Sequence, residues 1–380
     1  MRKFFTLIKA TLTGMIVFAL IGNCLLAQKI EIKMEDGVPV VYNPKNPVPP
    51  PGVASQLILQ KDLVLGGESE DPIYPFSLLS FLVVDDDENM IVLDNKEACI
   101  KIFDKSGNKI KEFGRRGQGP GEFQGPTTLT VIEGGKIGVI DPANHRFSYF
   151  SQDGECLEEL SMEKYSRIMR VKADSQGFIY ANFFTVIDAE KDVTYRVDLI
   201  KFDSDLNPLK TIGSFEQSRK RREVVMIEKR FGYALRGDDS LVWGVSDEYT
   251  MEIVDPDGIP VRRIVKDYEP IKVTEEDRQK MIKDTFGERE LPPSITLNFP
   301  KNYPPFYYII CDDRGRIYVR TYEIDHKGGI FYDVFDNEGR YLTKFVLPLE
   351  EMIFVIKKDK AYTVNRTNIP CLTRYNMKWQ

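Results

Sequence analysis

Apolar residues in this chain come in short, half-alternating runs rich in valine, isoleucine, phenylalanine and tyrosine, and a polar turn precedes each run. Six such turns are Asp85 to Asn89, Glu133 to Gly135, Asp174 to Gly177, Gly237 to Asp239, Asp312 to Gly315 and Lys357 to Asp359. They open the segments Met90 to Leu93, Lys136 to Ile140, Phe178 to Phe183, Leu241 to Gly244, Arg316 to Arg320 and Lys360 to Val364. Period-two alternation sets one side of a strand against a core, and the turn residues supply the reversal before it. Recurrence at roughly 40 to 50 residues, with several strands per unit, predicts the blades of a β-propeller.

A second series of turns runs out of phase with the first: Asp104 to Gly107, Ser151 to Gly154, Asp203 to Leu206, Asp255 to Gly258 and Asp336 to Gly339. Glycine accepts positive φ and aspartate bonds its own backbone, so these tetrapeptides predict tight hairpins. The sixth member is missing, because the last unit ends at Gln380 after strands near Met352 to Ile356, Lys360 to Val364 and Cys371 to Lys378. Leu57 to Leu65, which leads into Gly66-Gly67, is expected to supply the missing outer strand and close the ring without leaving a long free edge. The fold read from the pattern is therefore all-β: a six-bladed β-propeller of four-stranded antiparallel blades, closed by the N-terminal strand, with one short helical insert. Residues 55–380 form this one domain, whose core is spread between neighbouring sheets.

Composition changes the picture at the N-terminus. Arg2, Lys3 and Lys9 precede an apolar stretch from Leu12 to Ile21, and Leu25-Leu26-Ala27 fits a cleavage site, so 1–27 reads as a signal peptide. Cys24 leaves a lipoprotein alternative open, and only that alternative would bring the protein to a membrane. Either route exports the chain, to the periplasm, the cell surface or the medium. Residues 28–54, with Pro44, Pro47 and Pro49 to Pro51, read as a Pro-rich, semi-rigid leader. Loss of 1–27 removes three cations and no anions, leaving 49 Lys and Arg against 58 Asp and Glu and moving the formal charge from −6 to −9. An acidic mature chain without a basic stripe excludes nucleic acid as a partner class. Cys99, Cys156, Cys311 and Cys371 lie in strand-like runs without metal-ligand spacing and are expected to be unpaired apolar side chains.

Loop length nominates one face of the ring. Both series of short turns fall on one side, whereas Gly114 to Pro126, Ile187 to Thr194, Phe215 to Lys229, Pro270 to Pro305 and Tyr322 to Lys327 fall on the other. Long connections on a rigid scaffold are where binding surfaces are built. The longest carries a helix that Thr274 caps and Asp277 completes as a capping box, with Met281, Ile282 and Phe286 on its apolar side and Gly287 at its end. This helix either covers the rim between blades four and five or acts as a lid or partner-binding element. Candidate ligand contacts on the long-loop face are Arg115, Arg116, His145, Arg219, Arg221, Arg222 and His326. Arg115 and Arg116 stand in a Gly-rich string that lacks the lysine and helix of a phosphate loop, so its glycines serve a blade crossover, with Phe123 wedged between sheets. Two histidines cannot supply a three-histidine zinc site, and no Ser nucleophile elbow is present. No catalytic residue, metal ligand or cofactor is nominated. The innermost strands, near Leu78 to Val84, Leu129 to Ile132, Met169 to Val171 and Tyr307 to Ile310, are mostly apolar and predict a packed, metal-free centre.

Asp141-Pro142-Ala143-Asn144-His145-Arg146-Phe147-Ser148-Tyr149-Phe150 resembles the NHL repeat, with an Asp, an Asn-His-Arg tripeptide and a final aromatic at the passage from strand two to strand three. With the string Gly117 to Phe123, the chain is similar to exported six-bladed β-propeller proteins with NHL-like repeats of the Bacteroides type. Blades one and two match closely, and blade four has Asp247-Glu248-Tyr249 in place of the tripeptide. The resemblance implies a binding or scaffolding platform for a protein, peptide or glycan ligand, and the chain is expected to be a monomer. The alternative it leaves open is a metal-dependent lactonase-like or lyase-like propeller enzyme, whose ligands have no residue-by-residue match here.

Overall fold

Seven of the eleven short turns open with an aspartate that does the same work around the ring. One carboxylate oxygen accepts the backbone N–H groups two and four residues ahead at Asp85, Asp104, Asp174, Asp203, Asp255, Asp312 and Asp336. Local side-chain bonding of this kind competes with strand continuation and reverses the chain. The computed structural model describes residues 29–67, 76–165, 167–190, 192–289, 291–365 and 369–380. The predicted signal segment 1–27, with Cys24, lies outside the described residues.

An N-terminal hairpin of β1 (Glu31–Glu35) and β2 (Val38–Asn43) comes first, followed by β3 (Leu57–Gly66). Blade 1 is β4 (Leu79–Val84), β5 (Met90–Asp94), β6 (Cys99–Phe103) and β7 (Lys109–Phe113). Blade 2 is β8 (Thr128–Val131), β9 (Ile137–Asp141), β10 (Arg146–Phe150) and β11 (Cys156–Ser161). Blade 3 is β12 (Ile168–Ala173), β13 (Ile179–Asp188), β14 (Asp192–Phe202) and β15 (Pro208–Lys220). A short β16 (Glu223–Val225) leads to blade 4, which holds β17 (Phe231–Leu235), β18 (Leu241–Val245), β19 (Thr250–Val254) and β20 (Pro260–Lys266). Helix α1 (Glu275–Phe286) and β21 (Thr296–Asn298) occupy the long connection to blade 5. Blade 5 is β22 (Tyr308–Cys311), β23 (Ile317–Ile324), β24 (Ile330–Phe335) and β25 (Tyr341–Leu347). Blade 6 is β26 (Glu351–Lys357), β27 (Lys360–Asn365) and β28 (Cys371–Trp379), and β3 pairs antiparallel with β28 as its fourth strand. The ring is thus a six-bladed propeller closed by the N-terminal strand, and the guanidinium of Arg374 clamps the seam by gripping Asp62 at 3.0 and 3.1 Å.

The leader is more structured than its proline content predicts. Strand β2 adds in parallel to β20, so blade 4 has six strands. Asn43 then ties the leader to blade 5, its amide donating to the Gly339 carbonyl at 2.9 Å and its oxygen accepting the Tyr341 N–H at 2.8 Å. The pairing covers an edge strand that would otherwise offer free N–H and C=O groups. Buried side chains gather in six clusters, each drawn from two neighbouring blades, which is how a ring without a common centre buries its apolar surface. The four described cysteines are unpaired. No described helix is long and apolar enough to cross a membrane.

Candidate functional site

The long-loop face carries a pocket of about 340 Å³ between blades 4 and 5. Its wall is aromatic and prolyl, with Tyr268, Pro270, Tyr303, Pro304 and Pro305 contributed by the connection that also carries α1. The rim is charged but paired: Lys45 of the leader meets Glu269, and Lys344 donates to Glu323 at 2.7 Å. The floor is a buried polar cluster. Asp333 on β24 accepts the Tyr249 hydroxyl at 2.6 Å and the Tyr341 hydroxyl at 2.5 Å, and Lys266 at the end of β20 lies 3.3 Å away. The Lys266 ammonium also sits 4.8 Å from the centroids of both tyrosine rings.

Each part of that floor needs the others. A carboxylate taken out of water demands a partner, and here two hydroxyls and an ammonium supply it. Burial first, and the Asp333 charge second, push the Tyr249 phenol well above its ordinary value, so it stays a neutral donor. Both Asp333 oxygens accept hydrogen bonds from tyrosines of the floor. The cluster presents fixed polarity under an aromatic wall, an arrangement suited to orienting a ligand. Helix α1 stands beside the pocket with the predicted capping box formed between Thr274 and Asp277. None of its residues is fully buried, and burial pushes the Tyr303 phenol beside Asp277 up to about 12.

The residues nominated from sequence lie on this side of the ring but do not line the pocket. Arg115 pairs with Glu122 at 2.7 Å, and Arg116 donates to the carbonyls of Gln124 and Lys96. His145 is an exposed left-handed residue at the passage from β9 to β10. The structure brings these three into one neighbourhood, because Asn144 donates to the Gly117 carbonyl and Arg146 to those of Gly119 and Glu122. That neighbourhood is a stitched crossover: Asp141 accepts the N–H groups of Gln124 and Gly125, and Phe123 is buried 5.5 Å from the Phe150 ring. Asp94 accepts the N–H groups of Ser77 and Leu78 in the corresponding place of blade 1. Arg219 lies within β15, and Arg221 and Arg222 in the turn after it, because β13, β14 and β15 run on past the lengths their patterns predict. His326 is exposed between β23 and β24.

The pocket residues escaped sequence reading, although two left a trace. Asp333 interrupts the apolar run Ile330–Phe335, and Lys266 ends a run at the phase that is buried. A charge at a core phase points to a built polar site. The tyrosines gave no such signal, since aromatic residues are expected in strands.

The centre of the ring differs from the packed core predicted from apolar first strands. A hollow of about 660 Å³ opens on the short-turn face, bordered by Thr130, Lys172, Arg236 and Lys357 among others. A bulge in β12 between Met169 and Val171, with Arg170 at φ 54°, breaks the alternation on which the apolar reading rested. Among the described residues, one group of three acids or thiols brings its donor atoms within 4.8 Å, Glu97, Cys99 and Glu112 on blade 1. Lys101 already bonds Glu97 there at 2.6 Å.

Residues 78–231, which span blades 1 to 3, match a family model described as a 6-bladed beta-propeller, DUF5128. No curated protein matches the chain in sequence. Among solved structures, a member of the DUF4221 family from Bacteroides vulgatus is 14% identical with a TM-score of 0.52, over 86% of this chain and 100% of that one. A candidate exported protein from Bacteroides fragilis is 12% identical with a TM-score of 0.52, over 89% and 99%. A gluconolactonase from Xanthomonas campestris is 9% identical over 87% and 98%, at a TM-score of 0.47. Strand pairing, the family match and the two Bacteroides structures agree on one architecture: the chain is an all-β, six-bladed β-propeller.

Proposed function

We propose that this protein is an extracytoplasmic binding module whose ligand seats in the pocket between blades 4 and 5. One observation carries the reading: a buried, hydrogen-bonded Lys266–Asp333–Tyr249–Tyr341 floor lies beneath an open wall of tyrosine and proline on the long-loop face. Fixed polarity beneath aromatic faces suits recognition. Tyrosine faces and paired rim charges suit a saccharide or a short peptide segment, whose hydroxyls and amides can exchange bonds with Lys344, Glu323, Lys45 and Glu269. The basic and apolar stretch Arg2 to Ile21 supports export, and a candidate exported protein shares the fold. The Asp141, Asn144 and Arg146 stitch supports an NHL-like character for blade 2.

The test is a saccharide and peptide array probed with the mature protein, followed by titration calorimetry of the hits. Tyr268→Ala combined with Tyr303→Ala is expected to weaken a genuine ligand at least tenfold, about 1.4 kcal/mol. A ligand whose affinity is untouched by that pair, or that maps solely to the short-turn face, would remove the proposal.

A further inference from the structure

The innermost strands border the central channel, and on blades 3 to 5 that border is cationic. Arg167, Arg230 and Tyr307 occupy equivalent places, each one residue ahead of the innermost strand of its blade. Arg170 and Lys172 follow on β12 itself. The guanidiniums of Arg230 and Arg320 both lie over the ring of Tyr307, at 4.9 and 5.0 Å from its centroid. Among the described residues, none of Arg167, Arg170, Lys172, Arg230 and Arg320 has a carboxylate within 4.0 Å, although most arginines elsewhere in the chain are paired. The Nε of Arg320 is buried without a partner.

Nearby acids do not answer these charges. Six acids, Asp85, Asp86, Asp87, Glu133, Asp174 and Asp239, gather at the short-turn mouth; Asp86 pairs with Lys357, and none forms an ion pair with the five cations named above. Burial first, and the charge of Arg170 second, push the Lys172 amine below its ordinary value, as befits an amine that lacks an anion. On the opposite side of the channel the innermost strands of blades 1 and 6 offer two half-buried aromatic rings, Phe81 and Phe354, in edge-to-face contact at 5.7 Å.

From this we infer that the central channel is a second ligand site, one that takes a small organic oxyanion with a ring or apolar body. The oxyanion, whether carboxylate, sulfate or phosphate, answers the unpaired cations of blades 3 to 5, and the body faces Phe81 and Phe354. The site goes beyond the pocket between blades 4 and 5 and shares no lining residue with it.

The experiment is titration calorimetry of the mature protein with benzoate and with phenyl phosphate, and with benzyl alcohol as the uncharged counterpart. One equivalent of at least one oxyanion is expected to bind, more weakly as salt is raised. Arg170→Ala combined with Lys172→Met is expected to weaken it at least tenfold, Arg170→Lys to restore most of the loss, and Tyr268→Ala with Tyr303→Ala to leave it unchanged. Arg230→Ala, at an exposed position, gives the same reading should the double variant not fold. Equal binding of benzyl alcohol, equal binding by the charge variants, or no binding of either oxyanion at millimolar concentration overturns the inference. Failure of the pocket variants alone would count against the pocket and not against the channel.

Discussion

Replacing Asp141 by alanine removes the knot that holds the crossover from blade 1 to blade 2. Its fully buried carboxylate accepts four donors: the N–H groups of Gln124 at 2.7 Å, Gly125 at 3.0 Å and Asn144 at 3.2 Å, and the Asn144 amide at 3.0 Å. A hydrogen bond to a charged acceptor contributes about 1.5–3 kcal/mol, and a buried donor left unpaired costs about 1–3 kcal/mol. Gln124 is exposed and regains water, so the loss falls mainly on Gly125 and Asn144 and sums to about 3–4 kcal/mol. At roughly 1.4 °C per kcal/mol for a chain of about 350 residues, the melting temperature should drop by about 5 °C. Asp104→Ala, at an exposed turn with comparable bonds, should cost about 1 kcal/mol or less. Fluorescence gives a separate check, because both tryptophans, Trp243 and Trp379, lie in other blades. Their signal should move with circular dichroism if the ring unfolds as a unit. An Asp141→Ala protein no less stable than Asp104→Ala would refute the clamp.

Deleting Leu57–Leu65 should leave β28 unpaired and strip Leu65, Leu63, Leu59 and Leu57 from two inter-blade clusters. Leu65 is buried and contributes about 1.5–3 kcal/mol, the three half-buried leucines contribute less each, and with the lost strand pairing aggregation or a far lower melting temperature is expected. A soluble truncation that melts unchanged would deny the closure. Alkali should unfold the protein through its tyrosines. Burial pushes Tyr303 and Tyr322 up to about 12 and Tyr249, Tyr308 and Tyr318 further. With folded values raised above an unfolded value of about 10, stability is fully present below pH 10 and falls as pH rises through the folded values. Absorbance at about 295 nm should show phenols resisting titration until unfolding. Eighteen tyrosines titrating together near pH 10 with no loss of stability would contradict it.

The blades were legible because their causes are local. An aspartate that binds the N–H groups two and four residues ahead reverses the chain wherever it stands, and alternating apolar residues then commit the strand that follows. Closure was legible by count, since five outer turns for six blades left one strand to be found, and β3 fills that place. Strand lengths were less so. In blade 3 a ladder of eleven residues in β14 and thirteen in β15 carries Arg219 into a strand, because cross-strand pairing, absent from any single segment, decides where a strand stops. The pocket was hidden for the same reason at longer range. Tyr249 and Asp333 stand 84 positions apart and meet only when blades 4 and 5 pack.

The leader shows how far that logic reaches. Its prolines suggest a chain that binds nothing, yet Val40 and Val41 are fully buried against the outer strand of blade 4. Once β2 is paired, Asn43 bridges to blade 5 at Gly339 and Tyr341, and the two residues beyond the short link, Lys45 and Asn46, arrive at the rim of the pocket. Tyr341 is also a donor to Asp333, so the leader's anchor and the pocket's floor share one residue. Strain or loss at the anchor must therefore reach the floor through Tyr341, whose hydroxyl cannot hold Asp333 unless its strand is held in register. The pocket is thus assembled from three parts of the chain, two blades and the leader.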